Sequence, residues 1–452
     1  MAKENAGGES TLKPCRHRLR WGSDARSRAG MVALAVFLTS LGAGALVAPV
    51  AQAATFAVTT TADLPGTSCG STCSLRQAIS AANAAGGSNT TTFAVNGTFR
   101  LTTGNELHIT GSPSQTLTIA GNGPSSTIID GSGTARAIEV DSGATVNLSG
   151  LTIQNGNAGT SGNGGGILNF GTLALDNSRV VGNSAGVRGG GIGNFGAAIL
   201  SVTNSSIGGN SAGVSGGGIR NGSGCTLTVT NSIVSANSAG IGGGIISAGD
   251  STLTVNHSTI SGNNATGAGG GGGIANQGQA TVTNSTISAN TAVDHGGGIA
   301  IGAAPGSAPG TLTLRNSLVS ENAVTGSGKA NDGGGITNYS TLAVDHSSVT
   351  DNSAGHDGGG IANEFGATAT VTNSSVTGNS ARHDGGGIAN EFAGSPTNIV
   401  TLTDSFVTGN SARHAGGGIF NSFGTVTLNR TIVAYNSPDN CRPTGSVPGC
   451  VG

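Results

Sequence analysis

The tetrapeptide Gly-Gly-Gly-Ile recurs along this chain with its isoleucine at 167, 192, 219, 245, 274, 299, 336, 361, 388 and 419. The spacings are 25, 27, 26, 29, 25, 37, 25, 27 and 31 residues. Self-similarity at such a period belongs to solenoids, in which each repeat buries its apolar face only against its neighbours. Within a period, apolar residues alternate with small polar ones, as in "GTLALDNSRVVGNSAG" (Gly171–Gly186) and "ATVTNSTISANTA" (Ala280–Ala292). Alternation over about five residues is the strand period, and no segment of the repeat has helical spacing. A coil of about 25 residues, with three short strands rising ~3.3 Å per residue, closes on itself, and its copies stack at ~4.8 Å in parallel. The repeat therefore predicts an all-β chain, a single-stranded right-handed parallel β-helix with about three short strands per coil and about 14 coils.

Two columns of asparagine support that register. One follows the isoleucine, as Asn169, Asn194, Asn221, Asn276, Asn338, Asn363, Asn390 and Asn421; the other closes the third strand, from Asn183 to Asn436. Stacked amides donate to one another, and asparagine tolerates the left-handed backbone of a sharp turn. Composition agrees: 83 glycines, 9% charged residues and a formal net charge of only −2 are unlike the highly charged make-up of disordered chains.

Residues 1–53 differ from the rest. Arg16, Arg18, Arg20, Arg26 and Arg28 precede the apolar run Met31–Val47, and "APVAQAA" follows, which reads as a secretory signal cleaved after Ala53. Met31 is an alternative start. The remainder holds 12 basic and 18 acidic side chains, a net charge of about −6 with Lys329 its only lysine, so nucleic acid and anionic lipid are excluded as expected partners. No second apolar run is long enough to span a membrane. In an exported chain the close pairs Cys69/Cys73 and Cys441/Cys450 read as disulfides near the two ends, leaving Cys225 as a buried thiol. The organisation expected is a leader at 1–53, an N-terminal cap with the first coils at 54–155, the glycine repeats at 156–436 and a C-terminal cap at 437–452.

The cap contains "CSLRQAISAANA" (Cys73–Ala84). Ser74 is placed to cap a helix whose Leu75, Ala78, Ile79 and Ala82 share one face, suited to covering the first coil. The longer stretch "VTTTADLPGTSCGSTCSLRQAISAANA" (Val58–Ala84) resembles the CSLREAI domain, with Gln77 in place of the usual glutamate. The downstream "GGGI-x-N" and "GNSA" elements resemble the repeats of polymorphic outer-membrane-protein-type surface proteins. These resemblances imply an exported right-handed β-helix of the pectin-lyase-like kind, secreted or held at the cell envelope, and imply no settled activity.

Parallel β-helices also carry lyases and hydrolases, so catalysis is tested on residues, since fold does not fix function. The Asn-Thr-Asp, Asp-Asp, Gly-His-Gly and Arg-Ile-Lys elements of polygalacturonases are absent, as is the calcium nonapeptide Gly-Gly-x-Gly-x-Asp. Catalytic residues are therefore left unassigned, and no metal-ligating set or cofactor is assigned, calcium being the one cation weighed.

The charged residues of the C-terminal coils concentrate in "HDGGGIANEF", which occurs at His356–Phe365 and again at His383–Phe392. Superposing coils puts Asp332, Asp357 and Asp384 in one column, His356, His383 and His414 in the next, and Glu364 and Glu391 in a third, with Arg382 and Arg413 beside the histidines. Earlier coils carry Asn163, Arg188, Ser215 and Ile241 in the aspartate column and lack this charge. Two readings follow: a solvated turn in which aspartate and arginine offset each other, or a ladder binding a divalent cation or a repetitive ligand such as an extracellular polysaccharide or a cell-surface glycan. The expectation is a monomeric, non-catalytic adhesion or glycan-binding protein; the alternative is a polysaccharide lyase or glycoside hydrolase on the same scaffold.

Overall fold

The computed structural model describes residues 53–111, 115–302, 310–329, 332–391 and 397–451. The leader read at 1–53 lies outside them apart from Ala53, as does most of the insertion Ile301–Gly310. Among the described residues no helix is long and apolar enough to cross a membrane.

The chain from Thr55 winds into a parallel β-solenoid. One sheet has 14 strands, from Thr55–Val58 to Thr425–Asn429; two more have 13 each, running from Leu107–Ile109 to Cys441–Arg442 and from Gly97–Arg100 to Ile432–Ala434. Each strand pairs in parallel with its copy one coil away, as Leu173 with Leu200 and Ile192 with Ile219. The coils before the glycine repeats pair continuously with those after, Ile138–Val140 against Ile167–Asn169. The three sheets hold the three strands expected per coil, and a fourth sheet of nine two-residue strands, Ser184–Ala185 to Ser411–Ala412, adds a short corner strand to them. Its "SA" pairs are too short to show alternation. They join a ladder because the asparagine before each locks the corner in register: Asn183 Nδ2 donates to Asn210 Oδ1 at 3.0 Å, and the Asn183 N–H donates to the same oxygen at 2.9 Å.

All ten repeat isoleucines are fully buried in one stack. At roughly 2 kcal/mol for burying one such side chain, this stack is a major part of what holds the coils together. The glycines before each isoleucine have two causes. The first lies in left-handed backbone, Gly189 at φ 67° and Gly385 at φ 63°. At the second and third there is no room for a Cβ: one on Gly190 would lie 2.3 Å from the Ser211 carbonyl oxygen, and one on Gly191 2.7 Å from that of Gly218.

The helix α1 (Leu75–Ala85) caps the first coil, burying Leu75, Ala78, Ile79 and Ala82 as the sequence predicts. Its N-terminus is a capping box: Gln77 N–H donates to Ser74 Oγ at 3.2 Å, and Ser74 N–H donates to Gln77 Oε1 at 3.0 Å. Disulfides join Cys69 to Cys73 and Cys441 to Cys450, and Cys225 is a buried free thiol.

Candidate functional site

The three charged columns form as the repeat register requires. Glu364 pairs with Glu391, and Asp384 bridges to Ala415, the residue that ends the acidic run. His383 N–H donates to the His356 carbonyl at 2.9 Å and His414 N–H to that of His383 at 3.0 Å. The imidazoles stack, with centroids 4.6 Å apart for His356 and His383 and 4.5 Å for His383 and His414.

The solvated-turn reading does not survive. Asp332, Asp357 and Asp384 are 5%, 7% and 5% exposed. Their carboxylates are pinned by the backbone of the next coil: Asp357 N–H donates to Asp332 Oδ1 at 2.8 Å and Asp384 N–H to Asp357 Oδ1 at 2.6 Å. Nor do the arginines offset them. Arg382 and Arg413 are exposed, and among the described residues neither side chain forms an ion pair. Each Arg stands at the bend that precedes the aspartate column and is exposed there. The partners are the histidines. His356 Nδ1 lies 2.6 Å from Asp357 Oδ2 and 3.5 Å from Asp332 Oδ1; His383 Nδ1 lies 2.9 Å from Asp384 Oδ2 and 3.2 Å from Asp357 Oδ1; His414 Nδ1 lies 3.7 Å from Asp384 Oδ1. Acid and imidazole thus alternate along the coil axis.

The glutamates stand across the glycine turn, half-buried. Glu364 stands beside Asp332 and Glu391 beside Asp357 in the cleft, and Glu391 Oε1 is buried without a hydrogen-bond partner. Burial, then Glu364, Asp357 and Asp294, push the Asp332 carboxyl up to about 9. Burial, then Glu391, push Glu364 up to about 8, and burial, then Asp357 and Asp332, do the same to Glu391. Burial also raises Asp384, against the pull of His383. So many carboxyls close together in a low-dielectric pocket cannot all ionise, and the cluster retains protons at neutral pH.

Asp332, His356, Asp357, Glu364, His383 and Glu391 line a cleft of about 430 Å³, together with Lys329, Ala389, Ser422 and Phe423, while Asp384 and His414 lie outside its lining. Lys329 and Phe423 were not singled out from the sequence. Lys329 enters from Glu321–Asp332, a segment that reads as inert by composition. Phe423 is 73% exposed and has φ 66°; Phe365, at φ 55°, follows Glu364 and meets the Tyr339 ring at a tilt, with centroids 5.3 Å apart. A bulky residue in left-handed backbone costs about 1–3 kcal/mol, and the comparable turn position in an earlier coil is Gly196 at φ 71°. The signal was present: aromatics are only 3% of the chain, yet a phenylalanine closes both copies of "HDGGGIANEF". Phe392, the second of these, lies outside the described residues. At the N-terminal side, Tyr339 Oη meets His295 Nδ1 at 2.7 Å, and burial lowers the His295 imidazole despite Asp294 beside it.

A larger groove of about 920 Å³ follows another corner of the coils, past Ser285, Ser317, Ser347 and Ser374. These hydroxyls are occupied within the wall: Ser317 Oγ donates to the Arg315 carbonyl at 2.6 Å and accepts Ser285 N–H at 3.1 Å. The groove is wider, but the cleft holds the free chemistry.

No protein-family model matches the chain, and no curated protein matches it. Among solved structures it is similar to a pectate lyase, Pel9A, at a TM-score of 0.33 and 13% identity over 85% of this chain and 80% of that one. That is a remote likeness of coiling; the architecture stated above rests on the strand pairing itself.

Proposed function

We propose that this chain is an exported carbohydrate-binding β-helix whose ligand lies in the cleft over Asp332–Phe423. The observation that carries the reading is the pairing, in one concave site, of an exposed strained phenylalanine with a bank of positioned carboxyls. A sugar presents an apolar C–H face and a rim of hydroxyls. Phe423 offers the flat apolar surface, and the Glu391 and Glu364 carboxyls offer acceptors, and donors where protonated, at fixed positions. The coil spacing of ~4.8 Å lets neighbouring coils meet neighbouring units of an extended polymer, so that weak contacts add in register. The two disulfides suit an oxidising compartment.

The test is a glycan array read with wild type, Phe423→Ala and Glu391→Gln. Binding by wild type that falls at least tenfold in Phe423→Ala supports the reading. Binding by none of the three, or equal binding by all, overturns it.

One observation favours the enzymatic alternative: Lys329, the only lysine after the leader, lines the same cleft. Against hydrolysis, the acids of the cleft are crowded together, Glu364 beside Asp332 and Glu391 beside Asp357. A glycosidase separates its two carboxyls by about 5 Å or more to admit the scissile bond. Release of unsaturated product from a polysaccharide panel, lost in Lys329→Ala, would establish a lyase instead.

A further inference from the structure

We propose that His383, Asp384 and His414 hold one divalent transition-metal ion of the zinc class, at the C-terminal end of the acid–imidazole ladder. The proposal does not rest on the carbohydrate reading.

The donor atoms already converge. One ligand atom from each of the three lies within 4.8 Å of the others. Two nitrogen or oxygen donors about 2.0–2.2 Å from one ion stand about 3–3.5 Å apart. Here the two histidine-to-carboxylate distances are 2.9 Å, from His383 Nδ1 to Asp384 Oδ2, and 3.7 Å, from His414 Nδ1 to Asp384 Oδ1. Both imidazoles turn the same nitrogen, Nδ1, to the same carboxylate, and their rings stack, so a small movement of the exposed His414 closes the set.

A second, independent observation points to a ligand. Asp384 is 5% exposed, and its Oδ1, shielded from solvent, makes no hydrogen bond of good geometry: the Ala415 amide of the next coil is its backbone neighbour, and His414 Nδ1 stands 3.7 Å away. A buried carboxylate oxygen so weakly met has room for a closer partner. The neighbouring group His356, Asp357 and His383 is differently placed. Asp357 Oδ1 already accepts from the Asp384 N–H and from His383, and Oδ2 lies 2.6 Å from His356. The two groups share His383, whose single Nδ1 serves one ion. Each group holds one buried atom without a hydrogen bond, Asp384 Oδ1 and His356 Nδ1; access decides between them, because the His414 side chain is 71% exposed and that of His356 only 19%, and it assigns the ion to Asp384.

The donor set names the class. Calcium takes six to eight oxygens, and two imidazoles in a set of three are foreign to it. Imidazole with carboxylate suits zinc, cobalt, nickel or copper. The His414 side chain is 71% exposed, which leaves an entry path and an open coordination position.

The experiment is a cobalt(II) titration of the metal-free full chain, carrying no histidine tag, followed by visible d–d absorption, with zinc(II) and calcium(II) as competitors. The expected result is one cobalt per chain, displaced by zinc and not by millimolar calcium. His414→Gln and Asp384→Asn should each weaken binding at least tenfold. His356→Gln should leave it unchanged, as should His108→Gln in the separate group His108, Glu139 and Asp141. If Asp384→Asn fails to fold, His414→Gln carries the test, because its side chain is largely exposed. Absence of saturable binding, binding indifferent to His414→Gln, loss only in His108→Gln, or equal displacement by calcium would each overturn the assignment.

Discussion

Two acidic regions of this solenoid sit in similar burial and behave oppositely. Near the N-terminal cap, the Asp63 side chain is 3% exposed and faces a guanidinium. Arg76 donates through Nε at 2.7 Å and Nη2 at 3.1 Å, and the amides of Thr102 and Thr103 donate at 2.9 and 3.1 Å. Burial pushes this carboxyl up, but Arg76 and the amides outweigh it and hold Asp63 below its ordinary value. In the C-terminal cleft Asp332 is comparably buried, faces an imidazole and further acids, and is pushed up to about 9. The difference teaches that burial alone does not set the state of a carboxyl in a β-helix. A permanent cation with several donors makes it structural, whereas a bank of acids beside histidines leaves it protonated and available.

The largest expected effect breaks the first arrangement. Arg76→Ala removes the guanidinium from Asp63 and from the carbonyls of Glu106 and Asn105, which Arg76 reaches at 2.7 Å each. Leaving a buried carboxylate without its partner should cost about 3–5 kcal/mol. Urea melts and limited proteolysis should show loosening between the cap and Leu107. The matching change in the cleft, Asp332→Asn, should fall within about 1 kcal/mol of wild type. It removes a charge the site resists and keeps an oxygen for the Asp357 N–H, and Asn163 occupies the same column in an earlier coil. A comparable cost for both would show that the two regions are not different in kind.

Next in size is pH, taken with a chelator present. Asp63 has a folded value below its unfolded 3.8, so its contribution is complete above that value and is lost as the pH falls through the folded one. Asp332 and Glu364 have folded values of about 9 and about 8 against 3.8 and 4.5 unfolded. The folded state therefore binds more protons between pH 4 and 9, and stability at the cleft falls as the pH rises through that window. Hydrogen exchange by mass spectrometry should show the cap loosening below pH 4 and the cleft coils loosening toward pH 9. Asp332→Asn should flatten the second trend and leave the first.

The fold was legible because a solenoid repeats its instructions: ten isoleucines at one register, two asparagine columns and a glycine triplet leave few ways to wind. Cap and disulfides were legible from local chemistry at Ser74, Gln77 and the close cysteine pairs. Two-residue strands were not, since alternation needs more residues than "SA" supplies. At the site, register gave the columns but not their depth. Whether Asp357 lies in solvent or in a wall depends on what stands across the turn: Glu391 from the next repeat, Lys329 from an irregular segment, and Phe423 from a later coil. Alignment of repeats does not carry that information.

A smaller effect sharpens the cleft side. Phe423→Gly relieves left-handed backbone at a largely exposed position, so it should leave stability unchanged or raise it by about 1 kcal/mol, against a loss of glycan binding. Thermal melts and the array together separate a residue kept for the fold from one kept for a ligand.

The smallest effect is the most pointed test of which cation matters in the cleft. Arg382 is exposed and reaches none of the acids, whereas His383, next to it, contacts Asp357 and Asp384. If imidazoles hold the ladder, Arg382→Ala should change stability by less than about 0.5 kcal/mol, as surface substitutions without partners do. His383→Ala should cost more than Arg382→Ala, since it opens the stack between His356 and His414 and removes one imidazole partner from each of two buried carboxyls. Raising the salt concentration should not close the gap between the variants, because a buried contact is poorly screened. An Arg382→Ala loss as large as that of His383→Ala would return the arginine to the ladder and restore the offsetting turn that the geometry rejects.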